Sequence, residues 1–251
     1  MPARETSRVR SAQLLARYRS MRDFEATAEP RGERVTSVSS NSLPFVVQKH
    51  AASRLHYDFR LAWHGVLESW EVAKGPSDFP GDKRLAVRVE DHPHEYRTFE
   101  VIIPAGQYGG GTVMVWDEGV WQPDEGEDVD DGLARGHLKF HLHGKKLKGR
   151  WALVRMHGRA GGSKQENWLL IKEKDHFARA SSDPNITDTA PNSAVTRRSL
   201  DQIAHADGKV WNSNRNSGPK KTETKSEPAK ALAAHQDKRA IDSTRHSVPR
   251  R

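Results

Sequence analysis

His56-Tyr57-Asp58-Phe59-Arg60-Leu61 alternates polar and apolar residues without a break. On a strand, successive side chains point to opposite faces. His56, Asp58 and Arg60 therefore share one face, and Tyr57, Phe59 and Leu61 share the other, against a core. An imidazole, a carboxylate and a guanidinium in one row can bind a divalent metal and a phosphate together. His50, closing Phe45-Val46-Val47-Gln48-Lys49-His50, adds a ligand from the same neighbourhood. His50, His56 and Asp58 make a mixed N/O set suited to Mn²⁺, Fe²⁺ or Zn²⁺, and three protein ligands leave positions open for water or substrate. Structural histidines on a strand face are the alternative reading of the same residues.

The period of two continues on both sides of this stretch. Leu85, Val87 and Val89 alternate with Arg84, Ala86, Arg88 and Glu90, and Leu138, Phe140 and Leu142 with Lys139, His141 and His143. Val66–Val72, Phe99–Ile102, Thr112–Trp116, Arg150–Met156 and Trp168–Lys172 are further strand candidates, punctuated by glycine and proline. Many short strands between such turns predict a mainly antiparallel β-barrel or sandwich, with seven tryptophans to fill it. Asp124–Asp131 is expected to be a solvated acidic loop and His157–Gln165 a flexible hairpin connection.

Residues 1–42 carry the stripe Leu14, Leu15, Tyr18, Met21, which predicts a helical arm followed by a Ser-rich linker. The barrel domain is expected over 43–180. Residues 181–251 have Trp211 as their only aromatic and are expected to be a disordered basic tail. The chain of 251 residues carries a net charge of +8, of which the tail holds +5. That excess fits a nucleic-acid partner or a well-solvated surface. Cysteine is absent, which excludes disulfides, thiol nucleophiles and thiolate metal sites. No apolar run reaches bilayer length and the N-terminus lacks a signal-peptide core, so a cytoplasmic protein with no membrane partner is expected.

Further candidates lie at strand ends. His92 precedes a proline, Tyr96 follows it, and Lys74 and Arg84 flank a turn; together they could cradle a phosphate. Lys83, Arg88 and Lys139 read as solvated edge residues. Gly106–Thr112 lacks the Gly-Lys-Ser/Thr ending of a P-loop and reads as a tight turn. His141 and His143, with no acidic residue nearby in sequence, read as a solvated face.

Phe45–Leu61, Ser69–Ser77, Asp82–His92 and Ile103–Trp116, continued by Leu138–Met156 and Asn167–Phe177, closely resemble the 3′-phosphoesterase module of bacterial DNA ligase D. The resemblance covers roughly residues 10–180 in several long ordered blocks, and no ligase or polymerase module accompanies it. It implies a compact antiparallel β-barrel with flanking helices and an active site in a groove on the barrel. It implies Mn²⁺, or another divalent transition metal, on His50, His56 and Asp58. Phosphate-contacting Arg60 and His92 and an active-site Tyr96 follow from it, as do arm residues Arg22, Asp23 and Glu29. Glu90, Lys74 and Arg84 also occupy matching positions.

The function so implied is Mn²⁺-dependent trimming of DNA 3′ ends in end repair. A diesterase step would remove a terminal nucleoside and a monoesterase step the resulting 3′-phosphate. Arg60 and His92 would neutralise transition-state charge, and a protonated His92 could assist the leaving oxygen. The expected partners are primer–template DNA ends bearing a 3′-ribonucleotide or 3′-phosphate, with a ligase, polymerase or end-binding protein acting alongside on nucleoid DNA. A non-catalytic DNA-end-binding protein and a small-nucleotide phosphoesterase are the rival readings. The tail is expected to raise DNA affinity at low salt.

Overall fold

The structure, a computed structural model, describes residues 10–33, 43–156 and 166–205. The alternating segments become ten strands: β1 (Leu43–Ala51), β2 (Leu55–Trp63), β3 (Val66–Val72), β4 (Arg84–Arg88), β5 (His92–Pro93), β6 (Ile102–Ile103), β7 (Gly111–Pro123), β8 (His137–Gly144), β9 (Lys148–Arg155) and β10 (Asn167–Lys172). Eight of them close an antiparallel barrel in the order β1-β2-β3-β4-β10-β9-β8-β7, with β7 returning to pair with β1. Closure removes the unpaired edges that an open sheet would expose. Outside the ring, β5 pairs with β3 and β6 with β7. The β2–β3 hairpin turns through His64 (φ 49°) and Gly65 (φ 80°), a left-handed pair of the kind that suits the twist of antiparallel strands.

Alternation sorts each strand between two cores. Phe45, Val47, Tyr57, Phe59, Leu61 and Trp70 point into the barrel, with Trp116, Trp121, Trp151 and Trp168. Val46, Ala62, Leu67, Val113 and Val115 point outward to a second apolar cluster, which Leu15 and Tyr18 of the arm complete. The arm is helical over 10–14 and again in α1 (Ala16–Ser20). Tyr18 donates its hydroxyl to the Pro30 carbonyl at 2.8 Å, folding the arm back on itself. The outer face of β1 and β2 therefore has a roof.

Strand β7 contains a bulge. Val47 pairs with Asp117 but Gln48 with Val115, so Trp116 is an extra residue opposite β1. Before it Met114 and Trp116 point inward; after it Trp121 does, and Val120 is exposed. The buried Asp117 carboxylate at this point accepts from the Lys146 and Leu147 backbone N–H groups in the β8–β9 turn, at 2.9 and 2.8 Å.

Several expectations change. The ordered chain does not stop at 180: α3 (Ile186–Thr189) and α4 (Leu200–Ala204) follow, and Ile186 and Ile203 join the barrel core. Trp116 Nε1 donates to the Ala190 carbonyl at 2.8 Å, and Glu100 accepts from Ser193, Thr196 and Arg198. Polar residues hid this segment, because they serve as caps and ties rather than core; Ser199 and Gln202 form a capping box. In β4, Ala86 is the residue in the core and Leu85 is 44% exposed. Ala86 pairs with Val72 on one side and Trp168 on the other, both on the core face.

The acidic stretch 124–131 ends inside α2 (Val129–Arg135), which Asp128 caps, while Gly136 closes the helix in the left-handed region. Phe99–Ile102 follows a 3₁₀ segment (His94–Thr98) and is irregular at Phe99 and Glu100, with Val101 bonded to Val113 and strand only from Ile102. Arg88 is no solvated edge: it pairs with Glu68 and Asp91 at 2.8 and 2.9 Å and lies over Trp70. Likewise Lys139 pairs with Glu173 at 3.2 Å. His141 does have an acidic partner, Asp124, at 2.9 Å. The 157–165 connection, the linker at 34–42 and residues 206–251 of the expected tail lie outside the described residues. No helix among the described residues is long and apolar enough to cross a membrane.

Candidate metal centre

A groove of about 130 Å³ opens on the outer wall of β1 and β2, beneath the arm and beside the 106–110 turn. The antiparallel register sets His50 directly opposite His56, their rings 4.8 Å apart. His50 Nδ1 lies 3.6 Å and His56 Nε2 3.8 Å from Asp58 Oδ2. One donor atom from each residue falls within 4.8 Å of the others, the only such cluster among the described residues.

The remaining ring nitrogens decide which lone pairs face inward. His50 Nε2 donates to the Gly109 carbonyl at 2.8 Å, and His56 Nδ1 to the Arg54 carbonyl at 3.0 Å. A carbonyl only accepts, so each ring is held as the tautomer with its free lone pair toward Asp58. Fixing ligand histidines through their second nitrogen is how protein metal sites are oriented. Burial opposes ionisation of Asp58, but Arg60 and the two histidines outweigh it and hold the carboxyl well below its usual range. The donor set fits a divalent transition metal.

Arg60 stands two residues on, and its buried guanidinium is clamped. Nε donates to Gln48 Oε1 at 3.0 Å and NH1 to Ser69 Oγ at 2.7 Å, while NH2 lies 3.4 Å from Asp58. Gln48 is locked in turn, donating to the Tyr96 and Phe99 carbonyls. His92 sits between two guanidiniums, with Nδ1 2.9 Å from Arg60 NH1 and Nε2 3.0 Å from Arg22 NH2. The Glu90 carbonyl, 2.8 Å from Nδ1, takes that proton, so Nε2 accepts from Arg22. Burial first, then Arg60 and Arg22, hold His92 well below the ordinary imidazole range. A protonated His92 helping a leaving oxygen does not fit this setting.

The arm enters the groove through Arg22. Its Nε donates to Glu29 at 2.6 Å and NH1 to Glu90 at 3.0 Å, all three side chains being almost fully buried. Tyr96 donates to Glu29 at 3.1 Å; burial and the Glu29 charge push its phenol well above its usual range, so it stays protonated. The groove thus gathers His50, His56, Asp58, Arg60, His92, Tyr96, Arg22, Glu29 and Glu90. Asp23, Lys74 and Arg84 are not brought to it. Asp23 accepts from the Glu25 N–H within the arm, Lys74 is exposed beyond β3, and Arg84 pairs with Asp82.

Sequence reasoning missed Gln48, Ser69 and Tyr108. Gln48 shares the face of His50, and the same alternation that selected His56 and Asp58 would have selected it. Ser69 lies directly opposite Arg60 across β2 and β3, a register that only the fold supplies. Tyr108 stands half-exposed at the mouth, where the turn that supplies Gly109 also carries it.

The profile of the "DNA Ligase D 3′-phosphoesterase domain" matches residues 48–155. The chain is 48% identical over 190 residues to the "Multifunctional non-homologous end joining protein LigD" of Pseudomonas aeruginosa, covering 76% of this chain and 22% of that protein. It is 41% identical over 170 residues to the protein of the same name from Mycolicibacterium smegmatis, 65% and 21% being covered. Over 164 residues it is 44% identical to the "Multifunctional non-homologous end joining DNA repair protein LigD" of Mycobacterium tuberculosis, 65% and 20% being covered. The chain therefore spans about a fifth of the length of these relatives.

Proposed function

We propose, from the match of residues 48–155 to the DNA Ligase D 3′-phosphoesterase domain, that this chain is a metal-dependent phosphoesterase that trims DNA 3′ ends for end joining. The observation that carries the reading is the pair of carbonyl-oriented imidazoles beside Asp58, with Arg60 clamped at its edge. His50 Nδ1, His56 Nε2 and Asp58 would hold the ion, Mn²⁺ in this reading. Such an ion supplies Lewis-acid activation of a phosphoryl oxygen and of water.

The protein's own groups do the rest. Gln48 and Ser69 take up Nε and NH1 of Arg60. The NH2 edge, beside Asp58, is left to meet a phosphoryl oxygen and to stabilise charge developing there. Neutral His92, accepting from Arg22, keeps that second guanidinium at the groove. Tyr96 and Glu90 hold the arm closed through Glu29 and Arg22, which excludes water from one side of the substrate.

Two hydrolyses follow in order. Water adds to the terminal phosphodiester and the P–O bond to the last ribonucleoside breaks, that oxygen leaving with a proton. Water then adds to the remaining 3′-phosphate, releasing inorganic phosphate and a 3′-OH end fit for a polymerase or ligase. The test is turnover by purified full chain on primer–templates ending in a 3′-ribonucleotide or a 3′-phosphate, in EDTA and after Mn²⁺ is restored. Shortening to a 3′-OH end only with metal, and none by Asp58→Ala, is expected. Binding to ends without turnover would overturn the reading, and so would equal turnover of mononucleotides.

A further inference from the structure

A second cavity, of about 220 Å³, lies under the β8–β9 turn, away from the residues that line the metal groove. Lys145, Lys146, Lys148 and Arg179 line it against a single carboxylate, Asp78. Asp78 is already paired with Arg179 at 2.9 Å, and Lys145 with Glu118 at 2.8 Å. Lys146 donates to the Ala190 and Asn192 carbonyls at 2.8 and 2.5 Å and lies over Trp116, with no carboxylate partner in an ion pair among the described residues. Lys148 is exposed and has no ion pair or side-chain hydrogen bond among the described residues. The cavity therefore holds more positive charge than its own carboxylates match.

An aromatic platform stands at its rim. Phe177 lines the cavity, is 41% exposed, and packs against His176 with ring centroids 3.8 Å apart and the planes tilted by 41°. The platform is held rather than free: Asp175 accepts from the Phe177 and Arg150 backbone N–H groups. Gly149 lets the segment lie on β9, since a Cβ there would come within 2.8 Å of the Phe177 ring. Cations that can track phosphates and an exposed aromatic ring beside them are the two components of a single-strand nucleic-acid contact.

We propose that this cavity and platform bind a single strand of nucleic acid, a phosphate entering among Lys146, Lys148 and Arg179 and a base stacking on Phe177. The contact is separate from the metal groove and needs neither its ion nor its chemistry. A strand running from the processed end would gain a second anchor there. An acidic protein segment would use the cations but not the ring.

The experiment measures binding of a labelled single-stranded oligonucleotide to the full chain in EDTA, across a salt series. No turnover occurs under these conditions, so failure here leaves the end-processing reading standing, and the reverse. Each lost phosphate contact lowers the salt slope of log Kd by about 0.7 for single strands. Lys148→Gln is expected to lower it by that amount. Phe177→Ala is expected to weaken binding by on the order of tenfold at unchanged slope. Arg135→Ala, on the exposed face of α2, should change neither. Slopes equal to wild type in Lys148→Gln, unchanged affinity in Phe177→Ala, or an equal fall in Arg135→Ala would overturn the proposal. Displacement by poly-glutamate as effective as by unlabelled oligonucleotide would reassign the surface to an acidic partner and likewise overturn it.

Discussion

Strands β1 and β2 bury their two faces about equally and hold them together in opposite ways. Inside the barrel, Phe45, Val47, Phe59 and Leu61 are at most 1% exposed and need only neighbours of the right volume. Outside, Gln48, His50, Asp58 and Arg60 are at most 7% exposed, yet each must keep specific hydrogen-bond partners. Burial does not distinguish the faces; the cost of an unpartnered group does. A buried apolar truncation leaves a cavity, whereas a buried polar truncation strands the charge opposite it. The outer face trades tolerance for a preset geometry.

Asp58→Ala tests the outer face hardest. It removes one of three donors and leaves Arg60 without its carboxylate, so metal binding and turnover should both vanish. The fall in turnover should exceed the roughly 10²–10³-fold loss of a single transition-state donor. Metal content of the folded variant and its turnover are the readouts, and retained activity would break the contrast. Arg60→Ala comes next: metal should stay bound while turnover falls roughly 10²–10³-fold. Arg60→Lys should not restore it, because one ammonium cannot reach Gln48, Ser69 and the groove edge together.

The inner face should answer differently. Phe59→Ala should cost about 3–5 kcal/mol in urea unfolding while turnover per folded molecule stays near wild type. Loss of turnover out of proportion to unfolding would mean that the two faces are not separable.

Asp117 gives the smallest effect and sharpens the line between satisfied and strained polar burial. Burial, outweighing the backbone N–H groups that it accepts, pushes its carboxyl up to about 6 from 3.8. The folded state thus holds this proton more tightly than the unfolded chain. Its contribution is full below pH 3.8 and is lost as pH rises through about 6, worth roughly 3 kcal/mol at most. Thermal unfolding of wild type and Asp117→Asn between pH 4 and 7 should show a steeper decline in wild type, the remainder in both coming from buried Asp91, whose carboxyl burial pushes up to about 7. Parallel curves would place the titration elsewhere.

Much of the site was legible because it depends on local alternation. His56, Asp58 and Arg60 on one face, with His50 opposite, follow from a strand period that any partner strand preserves. Ser69 needs the β2–β3 register, and Arg22 needs the arm's return path, so neither can be read from spacing. Lys74 and Arg84 looked well placed at strand ends, but Lys74 is exposed beyond β3 and Arg84 is held by Asp82, and spacing alone reveals neither. In the fold, Leu85 misled because hydrophobicity ranks it above Ala86, while the register opposite Val72 and Trp168 decides which of the two faces the core. Residues 186–203 stayed hidden because a few apolar side chains suffice to seat on an already closed barrel.

The extra residue at Trp116 makes β7 two reading frames spliced together. Upstream, even-numbered positions face the barrel interior; downstream, odd-numbered ones do. Chain length across the splice is consequently guarded more strictly than composition. Conservative exchanges at Glu118 and Val120 leave both frames intact, but deleting a single residue between 117 and 120 would merge them. Either Trp121 would be expelled to solvent or Val113 and Val115 would swing off the arm's seat, so a lesion on a strand that supplies no ligand would unroof them.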